Sequence, residues 1–108
     1  MKVSEINFKI SLDENHIPEK IEWNATDGNT EGKSKSILIS IWDEKEKNTM
    51  KIDLWTKQMT TDEMKTFFHQ TLLSLADTFE HATGEKKITG DLRDFCEHFA
   101  EKMNLLKK

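Results

Sequence analysis

The feature that most constrains this chain is a change of hydrophobic period near residue 60. Before it, apolar residues alternate with polar ones, the signature of half-buried strands. After it, they recur every three or four residues, as on amphipathic helices. Strands therefore come first and helices second, which predicts an α+β fold: a four-stranded antiparallel sheet, arranged as a meander, with two C-terminal helices packed on one face.

The strand half reads in four segments. Residues 5–12 alternate Ile6, Phe8, Ile10 and Leu12 with Asn7, Lys9 and Ser11. Residues 20–26 alternate Ile21, Trp23 and Ala25 with polar partners, after a break at "DENHIP". "TDGNTEGKS" then reads as a mobile loop, because Asp27-Gly28 is a turn signal and no alternation follows. Residues 36–43 (SILISIWD) and 50–56 form a hairpin across the polar run "EKEKNT".

The helical half opens at Thr60-Thr61-Asp62-Glu63, where a Thr cap stands three residues before a Glu, the capping-box spacing. A helix is expected over residues 61–82, burying Met64, Phe68, Leu72, Leu75 and Phe79 and ending at Gly84. A second is expected over residues 91–106, burying Leu92, Phe95, Phe99, Met103 and Leu106. At 108 residues, the chain suits a single domain.

The hairpin raises the functional question, because large apolar groups lie on both of its faces. Pairing Ile41 with Ile52 and Ile39 with Leu54 places these aliphatics, with Ile37, under the helices. Parity then strands Leu38, Trp42 and Trp55 on the other face, with Lys51 and Asp53 between them. A one-layer sheet keeps that face polar. Three covers would account for the patch: the loop at residues 27–35, a second copy of the chain, or another protein.

Charge and composition narrow the classes. The net charge of −4, with no basic block before the final lysines, gives no footprint for nucleic acid or an anionic membrane. One cysteine, Cys96, excludes an intrachain disulfide. No export signal or long apolar run is present, so the expectation is a soluble, cytoplasmic protein.

Catalysis and cofactors find little support. His16, His69, His81 and His98 lack metal-ligand spacing, and Cys96 and His98, two apart on a helix, diverge. Cys96 beside Phe95 and Phe99 reads as a small hydrophobe. The glycines are scattered and build no phosphate loop. The expectation is a non-enzymatic chain with no cofactor and no metal.

"SIWDEKEKNTMKIDLWTKQM", "DEMKTFFHQTLLSLADTFEHATG" and "DLRDFCEHFAEKM" resemble the gliding-motility protein GldC family of Bacteroidota, and "FKISLDENHIPEKIEWNATDG" is also similar. The resemblance covers nearly the whole chain. It implies a small accessory protein linked to gliding motility and carries no catalytic or cofactor residue. With the hairpin, it gives an interaction module that binds a protein through Leu38, Trp42, Lys51, Asp53 and Trp55. Two other readings stay open: a holdase-like export adaptor, by analogy of layout, and a small-ligand binder with a pocket around His69 or Asp77.

Overall fold

The computed structural model describes residues 1–105 and is α+β. Its contacts group into two units, Met1–Met59 and the chain from Thr60 onward. The first unit holds β1 (Ile6–Leu12), β2 (Pro18–Ala25), a 3-10 turn (Asp27–Asn29), β3 (Thr30–Ser34), β4 (Ser36–Asp43) and β5 (Asn48–Trp55). The second holds α1 (Thr61–Thr83) and α2 (Lys86–Lys102). Residue Leu106, expected in the second helix, lies outside the described residues.

The single four-stranded sheet is corrected. Among the described residues five strands form two antiparallel sheets, one of order β1-β2-β3 and one of β4-β5. The difference comes from residues 30–34, expected as loop but paired with β2 from Ala25↔Thr30 to Ile21↔Ser34. Gly32 suits this strand because the Trp23 indole lies across it. A Cβ at Gly32 would stand 3.0 Å from Trp23 Nε1 and 3.1 Å from Cε2 and Cζ2. Any side chain there would push the ring aside.

Pairing of Ile10 with Ile21 and of Phe8 with Trp23 gives the three-stranded sheet one apolar face. Ile21 is fully buried at its centre. The opposite face is polar, with Asn7 Nδ2 donating to Asn24 Oδ1 at 3.1 Å. Asp13 organises the β1–β2 turn. Its Oδ1 accepts from the backbone N–H groups of Asn15 (2.8 Å) and Ile17 (3.0 Å), and Oδ2 pairs with Lys57 Nζ at 2.5 Å. The Lys57 hydrogen bond, then that from Ile17, holds the Asp13 carboxyl below its usual range.

The β4–β5 register is two residues from that expected: Ile41 faces Met50, Ile39 faces Ile52 and Ile37 faces Leu54. The turn closes early. Asp43 Oδ2 accepts from Glu46 N–H at 2.6 Å, and Lys47 N–H donates to Asp43 O at 2.9 Å. The loop is therefore residues 44–47, and Asn48 and Thr49 join the ladder. Because the slip is even, every side chain keeps its face and only its cross-strand neighbour changes.

In the helical unit the capping box forms as read. Thr60 Oγ1 accepts from Glu63 N–H at 3.0 Å, and Glu63 Oε1 accepts from Thr60 N–H at 3.0 Å. Gly84, at φ 73°, ends α1 by donating its N–H to Glu80 O. The second helix starts at Lys86, not 91, and absorbs most of the expected link. It stops where Asn104 turns left-handed (φ 57°) and Leu105 N–H reaches back to Ala100 O at 2.8 Å.

The buried faces of the helices also differ from expectation. Ala76 on α1 and Thr89, Cys96 and Ala100 on α2 are buried, whereas Phe68, Leu75, Phe79 and Phe95 are exposed. The buried side chains of the helix pair are thus small ones, and these large residues stay outside the buried set. Arg93 clamps the pair, with Nη2 2.8 Å from Asp77 Oδ1 and Nη1 2.9 Å from Glu80 Oε1. These two carboxylates, Asp77 first, raise the Arg93 pKa above its ordinary value.

Candidate functional site

The β4–β5 hairpin exposes apolar groups on both faces. On the first, Ile37/Leu54, Ile39/Ile52 and Ile41/Met50 form three consecutive aliphatic rows. Ile37 is buried, but Ile41, Met50 and Ile52 are 49%, 56% and 47% exposed. The expectation that this face is fully covered is corrected for the turn end of the hairpin. Met50 is a contact candidate that the sequence reading left out, although it alternates with Ile52 and Leu54.

On the second face the rows are Ser36/Trp55, Leu38/Asp53, Ser40/Lys51 and Trp42/Thr49. Trp42 is 67% and Trp55 55% exposed, and Leu38 is half-buried. The expected neighbours are corrected: Leu38 faces Asp53 rather than Trp55, and Trp42 faces Thr49 rather than Lys51. The strand from Thr49 to Trp55 puts the indoles about 20 Å apart, at ~3.4 Å per residue. Between them Lys51 Nζ pairs with Asp53 Oδ2 at 3.4 Å.

This layout differs from one continuous patch. It is a strip with an indole at each end and an ion pair in the middle. An exposed ion pair adds little stability. Residues 30–34, part of the loop that is one of the three candidate covers, pair with β2 as a strand.

Other concavities serve less well. A cleft of about 700 Å³ on the three-stranded sheet is lined by Phe8, Trp23 and Gly32 among polar neighbours. A second, of about 380 Å³, lies beside Ile21, Ser34 and Thr56. Ser34 Oγ and Thr56 Oγ1 have no hydrogen-bond partner there, but both are sealed from solvent, so a molecule in the cleft does not reach them.

Of the residues of the ligand-pocket alternative, Asp77 lines a cleft of about 390 Å³ on the helical unit with Glu80, His81, Gly84, Lys86 and Arg93. His69 stacks on Phe99 with centroids 6.2 Å apart, and Asp77 accepts from Arg93. Cys96 is buried between the helices. Among the described residues no three His, Cys, Asp or Glu side chains converge, and no helix is long and apolar enough to cross a membrane.

Fold and surface together define a small α+β protein whose apolar groups are displayed on a two-sided hairpin. The chain belongs to the GldC-like family, described as gliding motility-associated protein GldC-like, whose model matches residues 18–105. No curated protein and no solved structure matches it significantly.

Proposed function

We propose that this chain is a non-enzymatic accessory protein of gliding motility, acting in the cytoplasm of a Bacteroidota cell by holding a protein partner on the β4–β5 hairpin. The observation that carries the reading is the exposure of Trp42 and Trp55 on one face of a two-stranded ladder. Tryptophan is enriched where contacts contribute most to binding. A hairpin of two strands is marginal alone in water. One with apolar groups open on both faces gains stability when something covers it. Trp42, Trp55 and Leu38 supply apolar burial, while Lys51 and Asp53 fix the partner's register.

The test is affinity capture from the native cell with wild type beside the Trp42→Ala/Trp55→Ala variant. Capture of a defined protein by wild type alone, at equal helix content, supports the reading. Equal capture by both removes the hairpin from the account.

A holdase-like export adaptor is the second reading. What favours it is that the aliphatic face, Ile41, Met50 and Ile52, is open as well. A broad apolar surface suits many unfolded segments rather than one partner. Suppression of the aggregation of unrelated denatured proteins separates the two, since a partner-specific module leaves such aggregation unchanged.

A further inference from the structure

The first helix carries no Asp, Glu, Lys or Arg between Lys65 and Asp77, yet Ala76 is its only buried residue. A helix bathed in water normally has a charged outer face; one without it belongs inside. The sister helix accounts for one side only. α2 runs antiparallel to α1, as the Phe99–His69 stack and the Arg93–Asp77 pair show. The α1 residues Phe68, Leu72, Leu75 and Phe79 each stand one position before the stripe that meets α2. On α2, Ile88, Leu92 and Phe95 do the same. In antiparallel helices this common offset puts both sets on the same side of the pair. The result is one apolar face on the helical unit.

We infer that this face binds a second copy of the chain, α1 against α1 in antiparallel, two-fold symmetric contact. Two observations select this occupant. The stripe is self-complementary: with Phe68 opposite the second copy's Phe79, Leu72 falls opposite its Leu75, so each apolar layer meets an apolar layer. The area is also adequate. Phe68, Leu75, Phe79, Ile88 and Phe95 are between 42% and 54% exposed. Together they offer roughly 450 Å² per copy, more than half of the about 800 Å² per partner of a standard interface. Half-buried Leu72 and Leu92 extend it.

The experiment is sedimentation of the full chain over a concentration series. Wild type sediments as a dimer. Leu75→Glu places a carboxylate twice at the centre of the contact and weakens association roughly a hundredfold or more. Its circular dichroism stays that of wild type, because Leu75 is exposed within its own chain. Trp42→Ala/Trp55→Ala remains dimeric, which separates this contact from the hairpin reading. A mixture of Phe68→Cys and Phe79→Cys chains oxidises to a cross-linked heterodimer far more efficiently than either alone, a result independent of how Leu75→Glu folds. The inference is overturned by a wild-type monomer throughout the series, by a dimer that survives Leu75→Glu, or by absence of the mixed cross-link. A wild-type monomer in which both cysteine variants resist a thiol reagent would show that the chain covers the face itself.

Discussion

Ile21→Ala is the sharpest probe of where the strand unit keeps its core. Ile21 is 0% exposed at the centre of β2, paired with Ile10 on one side and Ser34 on the other. The substitution removes three carbons from a fully buried site, roughly 2.4 kcal/mol at ~0.8 kcal/mol per methylene. Incomplete collapse of the space left behind adds about 1 kcal/mol, giving roughly 3–4 kcal/mol in all. Ile6→Ala is the matched control. It lies on the same apolar face and removes the same atoms, but Ile6 is 68% exposed. Its expected cost is below about 1 kcal/mol. Urea unfolding followed by circular dichroism reads both, and with a slope near 1.5 kcal/mol per molar the Ile21 midpoint falls by about 2 M. Equal shifts for the two variants would refute the reasoning, because burial would then not be what separates them.

Thr60→Ala removes the capping box of α1 and is expected to cost about 1 kcal/mol, read in the same unfolding assay. A loss under about 0.3 kcal/mol would mean the cap adds nothing beyond packing. Gly32→Val forces a side chain into the Trp23 ring; it should cost roughly 1–3 kcal/mol and red-shift the Trp23 emission, and unchanged emission would show that the ring does not lie across β3. For Asp13, the folded pKa lies below 3.8, so its stabilisation is complete above the unfolded value and is lost as pH falls through the folded one. The Asn15 and Ile17 amide resonances should therefore report a midpoint below pH 3.8, absent in Asp13→Asn; a midpoint at or above 3.8 would contradict the Lys57 contact.

Much of the fold is legible because it is written in large residues. Alternation marks β1, β2 and β5, a nearly continuous β-branched run marks β4, and the Thr60–Glu63 spacing marks the start of α1. What escapes is written in small ones. β3 (TEGKS) shows no alternation because Thr30, Gly32 and Ser34 present little apolar surface, and Gly32 is there to make room for a ring from another strand. The helix contact is hidden for the same reason. Ala76, Thr89, Cys96 and Ala100 weigh little in a hydrophobic stripe, so the eye follows Phe68, Leu75 and Phe95, which face outward.

The candidate site was readable to the same depth. Parity alone places Trp42 and Trp55 on one face, and a two-residue slip cannot change that. Their neighbours depend on where the turn closes. That is decided by Asp43 and its hydrogen bonds to Glu46 and Lys47, within a polar run that carries no turn dipeptide.

The central claim is that the two indoles of the hairpin anchor a protein partner. Its most direct test is the affinity of that partner, once captured, for wild type and for the single variants Trp42→Ala and Trp55→Ala. Anchor residues lose at least about 2 kcal/mol on truncation, so each variant should bind roughly 30-fold more weakly with unfolding midpoints close to wild type. Affinities within about twofold of wild type for both variants would show that the partner is held elsewhere on the molecule.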